Sequence, residues 1–88
     1  MPHYVRTLLL TGPPDEAERL RPKHLEQLRA LRAAGRLRAA GALRGGEGFL
    51  EIFEAKDLLE AEEIARSSPL VEEGLGAWMV REWEELEL

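Results

Sequence analysis

The sequence contains no cysteine, which removes disulfides, thiol catalysis and cysteine-based zinc sites together, and leaves His3 and His24 as its imidazoles. No structural metal and no cofactor are expected. Asparagine is also missing, and lysine occurs only at Lys23 and Lys56 while arginine is frequent, a usage compatible with a thermophilic source or a GC-rich genome. No apolar run approaches the roughly 20 residues needed to cross a bilayer. The opening Met1-Pro2-His3-Tyr4 lacks the basic and long apolar segments of a secretory signal. A cytoplasmic protein without a membrane partner is the expectation.

What is present fits one globular domain spanning residues 1–88. The chain is 44% hydrophobic and 33% charged, too apolar for a disordered segment and too short to divide into two cores. Its formal net charge of -5 repels the phosphate backbone that supplies most non-specific nucleic-acid affinity. Nucleic acid is therefore a poor candidate partner.

Hydrophobic periodicity and breakers define the elements. His3 to Thr11 is rich in β-branched and large apolar residues and stops at Gly12-Pro13-Pro14, which predicts a strand. Its apolar residues fall on both faces, Val5 and Leu9 on one and Tyr4, Leu8 and Leu10 on the other. Pro22 suits the first turn of a helix running to about Ala34, with His24, Leu25, Leu28 and Leu31 on one face and Gly35 as its stop. The polar stretch Asp15 to Arg21 reads as a connection.

Leu37 to Leu43 predicts a short small-residue strand, joined as a hairpin through Arg44 to Gly48 to the alternating strand Phe49 to Glu54. Asp57 and Glu60 have the spacing of a capping box ahead of a helix over Leu58 to Arg66, with Leu58, Ala61, Ile64 and Ala65 as its buried stripe. Pro69 ends that helix. After a Leu70 to Gly76 connection, Ala77 to Trp83 can form a fourth strand.

The order is strand, helix, strand, strand, helix, strand. It predicts an α+β fold of the ferredoxin-like βαββαβ type, an antiparallel sheet with two helices on one face. The other sheet face then lacks a cover, and its apolar residues would expose a patch larger than monomers usually tolerate. Two copies are expected to pack sheet to sheet as a homodimer.

Arg21-Pro22-Lys23-His24-Leu25, followed by Gly35-Arg36-Leu37, Ala40-Gly41, Ser68-Pro69-Leu70 and Gly74-Leu75, resembles the YciI-like, or YCII-related, family. The resemblance covers nearly the whole chain, and its specificity lies in the order and spacing of these pieces. It implies a ferredoxin-like subunit in a dimeric α+β barrel, with a pocket near the helix-one histidine, which His24 matches. Some relatives are linked to dehydrochlorination of hydroxylated chloroaromatics. Many members carry a histidine and aspartate pair as acid/base machinery. Here the aspartate position is Ser68, a neutral residue that can orient an imidazole by hydrogen bonding but cannot stabilise its protonated form.

His24 and Ser68 are the candidate site residues. Placed in the first turn of its helix, His24 would sit at the positive dipole end, where a neutral imidazole is favoured and can act as a general base. The bland alternative is a histidine that packs and hydrogen-bonds at a helix end. Ser68 can likewise be read as an ordinary capping residue. Asp15, Glu72 and Glu73 are further carboxylates that could approach His24.

Arg29, Arg32, Arg36, Arg38 and Arg44 could bind an anion, but more often form a solvated face. Trp78 and Trp83 lie on opposite faces of the last strand, where core packing is the ordinary role. Two function classes remain: an acid/base enzyme acting on a small, cyclic or aromatic organic acid, and a non-catalytic module that binds a metabolite or a protein partner.

Overall fold

A computed structural model describes residues 1–88. Strand β1 (His3–Leu10) leads into helix α1 (Pro14–Ala33), then strands β2 (Leu37–Leu43) and β3 (Gly48–Glu54). Helix α2 (Leu58–Arg66) and a short helix α3 (Pro69–Glu72) precede strand β4 (Gly76–Trp83). The four strands form one antiparallel sheet in the order β2-β3-β1-β4. This is the expected α+β, ferredoxin-like arrangement, with a third helix added. No helix is long and apolar enough to cross a membrane.

Helix α1 departs most from expectation, because it starts at Pro14 and carries Pro22 in its interior. Pro14 occupies the first helical position, where its missing N–H costs nothing, and Asp15 and Glu16 complement the dipole of the first turn. The buried residues Ala17 and Leu20 extend the stripe of His24 and Leu28 backward, so the segment gains more by packing than Pro22 loses. Pro22 and Glu18, whose carbonyl loses its donor, are both exposed, so water can satisfy that carbonyl.

The helix ends as its sequence dictates. Gly35 adopts φ +74°, and the Arg36 and Gly35 amides return to the carbonyls of Leu31 and Arg32 at 2.9 and 3.0 Å.

Helix α2 is capped by Asp57, whose carboxylate accepts from the Glu60 amide at 2.9 Å. Glu60 reaches the Lys56 amide instead of that of Asp57. Ala61 and Ala65 are buried as expected, Ile64 is half-buried, and Leu58 stands exposed. Pro69 stops α2 but immediately opens α3, with the Ser68 side chain accepting from the Leu70 amide at 3.2 Å. The segment expected to be a plain connection is thus a capped helical turn.

The helix-covered sheet face holds two apolar clusters. One gathers Leu8, Ala17, Leu20, Phe49, Leu70 and Leu75. The other gathers Tyr4, Phe53, Ala55 and Ala61. Between them on β1 lies Arg6, and directly opposite it on β3 lies Glu51, both fully buried. The opposite sheet face has no helix, and Leu9, Leu50 and Met79 there are 47%, 36% and 51% exposed.

Candidate functional site

The polar band between the apolar clusters contains His24. Its imidazole is fully buried, with Nδ1 2.7 Å from Ser68 Oγ and Nε2 3.0 Å from Glu51 Oε2. Four elements converge there: α1 supplies His24, the cap of α3 supplies Ser68, β3 supplies Glu51 and β1 supplies Arg6. The structure therefore brings the two sequence candidates, His24 and Ser68, into direct contact.

The placement of His24 corrects the sequence expectation. Because α1 begins at Pro14, the residue lies in mid-helix, beyond the first turn to which unpaired amides and the dipole field are confined. Its surroundings, not the helix end, set its state. The partner carboxylate also differs from the three anticipated. Asp15 is exposed at the helix start, and Glu72 and Glu73 line a shallow depression with Leu20, Lys23 and Pro69. Glu51 takes the role.

Arg6 completes the band. Its Nε donates to Glu51 Oε1 at 2.6 Å, one terminal nitrogen donates to the Ala65 carbonyl at 3.0 Å, and the other to Gln27 Oε1 at 3.1 Å. Gln27 in turn donates to the Ile64 carbonyl at 2.8 Å and to Ser67. No buried side-chain nitrogen or oxygen is left without a partner. Such closure is what makes an ion pair tolerable in a core this small.

Arg6, Glu51 and Gln27 were not singled out from sequence, although a signal existed. Phe49, Glu51 and Phe53 alternate onto one face of β3, and Tyr4, Arg6 and Leu8 onto one face of β1. A lone charge in an apolar row on each of two paired strands, opposite in sign, marks a buried pair.

A cleft of about 230 Å³ opens beside this band, lined by Leu10, Gly12, Ala17, Glu18, Arg21 and Phe49 among others. A smaller one of about 150 Å³ runs between α1 and β2 and shares Arg21 and Phe49. The Arg21 guanidinium stands 5.2 Å from the Phe49 ring centroid, a cation–π distance. Phe49 also packs against the imidazole of His24, ring centroids 4.4 Å apart. The ring thus touches both the cleft and the buried band.

The carboxylate, imidazole and hydroxyl of Glu51, His24 and Ser68 are connected as in a hydrolytic triad. Ser68 Oγ, however, is sealed from solvent and caps α3, so no electrophile meets it in this structure. No group of three or more His, Asp or Glu side chains is placed to hold a metal. The arginine stretch is divided: Arg36 pairs with Glu60, Arg38 with Glu85 at 3.0 Å, and Arg29, Arg32 and Arg44 are exposed. Trp78 lies beneath Arg66 at 5.5 Å, and Trp83 meets His3 edge-on at 6.0 Å.

The YCII-related domain matches residues 3–84. The uncharacterized protein YjpA of Bacillus subtilis (strain 168) is 36% identical over 61 residues, covering 69% of this chain and 72% of that protein. A solved structure of 5-chloro-2-hydroxyhydroquinone dehydrochlorinase from Burkholderia phenoliruptrix AC1100, in complex with 2,5-dihydroxybenzoquinone, superposes with a TM-score of 0.83. It covers 93% of both chains at 20% identity, so the likeness is one of fold.

Proposed function

The chain belongs to the YCII-related domain family, and from that premise we propose that it takes a compact, planar organic anion into the cleft that Arg21 and Phe49 line. The observation that carries the reading is a guanidinium stacked on an aromatic ring in the wall of a cavity of about 230 Å³. A guanidinium held against an aromatic ring binds carboxylate or phenolate oxygens in bidentate fashion, and the apolar part of the wall receives the ligand's ring. The volume is below the roughly 300–1,000 Å³ of ordinary ligand pockets, which restricts the ligand to about one substituted ring.

Thermal shift and calorimetry with hydroxylated aromatic acids and hydroquinones test the proposal. A ligand at about 100 times its dissociation constant stabilises by roughly 2.7 kcal/mol, a rise on the order of 10 °C for a domain this size. Arg21→Ala is expected to weaken binding at least about tenfold, the value of one lost charge-assisted bond. No binding tighter than about 1 mM across the panel, or unchanged affinity in Arg21→Ala, sinks the proposal.

A second reading, acid/base chemistry on the same ligand, is favoured by the 3.0 Å contact of His24 with Glu51, since a carboxylate-held imidazole is a prepared proton acceptor. It requires the Phe49 ring to move and admit the ligand to His24. Turnover of a hydroxylated chloroaromatic that is lost in His24→Asn while ligand affinity persists would support it. Binding without turnover by the native protein leaves the non-catalytic module. In either case we propose that a second copy covers the bare sheet face carrying Leu9, Leu50 and Met79.

A further inference from the structure

We infer that Glu51 and Arg6 lock the His24 imidazole in one tautomer, protonated on Nε2, with the Ser68 hydroxyl donating to Nδ1. The inference draws its functional meaning from the acid/base reading above, but it stands on hydrogen-bond inventory alone.

Arginine has donors only, and Arg6 Nε occupies Glu51 Oε1 at 2.6 Å. Arg6 and Glu51 form a buried ion pair, in which Glu51 is a carboxylate with acceptors alone to offer. Its Oε2 lies 3.0 Å from His24 Nε2, so that nitrogen must carry the proton. On the other side, Ser68 Oγ already accepts from the Leu70 amide at 3.2 Å. Its own O–H is directed to Nδ1 at 2.7 Å.

A second ring proton would break this arrangement twice. The Ser68 hydroxyl would lose its acceptor, because His24 and Leu70 are its only side-chain hydrogen-bond partners. The band would also hold Arg6 and an imidazolium against a single carboxylate, a net positive charge among fully buried groups. The lone pair of the neutral ring is consequently on Nδ1, where it faces Ser68. Glu51 and Arg6 act on it as positioning residues.

Nitrogen-15 NMR of histidine-labelled protein at neutral pH reads the tautomer directly, with His3→Gln to assign the two rings. The native protein is expected to show the Nε2–H form alone. In Glu51→Gln, Arg6 claims the amide oxygen, the NH₂ group turns to Nε2, and the ring is expected to switch to Nδ1–H. Ser68→Ala is expected to keep Nε2–H, because Glu51 fixes it. A mixture, an Nδ1–H form or an imidazolium in the native protein overturns the inference. So does Glu51→Gln that folds and retains Nε2–H. If Glu51→Gln fails to fold, the native and Ser68→Ala spectra decide, and a proton that moves to Nδ1 in Ser68→Ala refutes the assignment. Failure to find any ligand would end the proposed function and leave this spectrum unchanged.

Discussion

Replacing Arg6 by methionine preserves most of the side-chain volume while removing the guanidinium, and so isolates the charge at the centre of the core. In the native protein Arg6 compensates Glu51 and satisfies the Ala65 carbonyl and Gln27. Without it the Glu51 carboxylate keeps only the His24 contact, and breaking one side of a buried pair costs about 3–5 kcal/mol. The stranded Ala65 carbonyl adds about 1 kcal/mol or more. At about 0.05–0.15 kcal/mol per residue, the whole domain is stable by roughly 4–13 kcal/mol, so Arg6→Met brings it to the edge of unfolding.

Urea titration followed by far-UV circular dichroism measures the loss, with Glu51→Met and the double variant Arg6→Met/Glu51→Met alongside. Each single variant strands a buried charge, whereas the double variant strands none. The double variant is expected to be at least about 1 kcal/mol more stable than the sum of the single losses allows. A single-variant loss under about 1 kcal/mol, or strict additivity, would refute the view that these two charges exist in the core only because of each other.

Other substitutions test the frame around the band. A Cβ on Gly48 would lie 1.9 Å from the Leu8 carbonyl oxygen, so Gly48→Ala is expected to prise β3 from β1 and cost more than about 2 kcal/mol in a thermal melt. The Lys56 amide and Arg36 hold the Glu60 carboxyl below its ordinary value of 4.5. The folded state therefore binds fewer protons, and the associated stability is present above 4.5 and is lost as pH falls below it. Glu60→Gln should flatten the acid limb of a pH–stability curve; an unchanged limb would remove Glu60 from that role. Leu50→Arg, on the bare sheet face, should shift sedimentation from dimer to monomer with the fold intact, and a native protein that is already monomeric at micromolar concentration contradicts the dimer.

The strands, helix α2 and the Gly35 stop were legible in the sequence because each depends on neighbours within a few positions. Alternation across Phe49–Glu54, a cap at Asp57 with Glu60 three residues on, and a glycine with positive φ are local features that survive without knowledge of the fold. The family pieces around His24 and Ser68 named two residues that the fold brings into contact at 2.7 Å. Helix α1 was misjudged because Pro22 is a strong local stop, and the gain that overrides it, burial of Ala17 and Leu20, exists only once the sheet is there to receive them.

That Glu51 is the partner of His24 was decided by the tertiary structure. Arg6 and Glu51 are 45 positions apart, and they face each other only because β1 and β3 pair in one register. A slip of one residue between these strands would put the two charges on opposite faces of the sheet and separate them. Sequence determined which segments are strands and which residues carry charge; strand pairing decided that two of those charges meet beside His24, because register is set by the packing of the whole sheet and by no single stretch of chain.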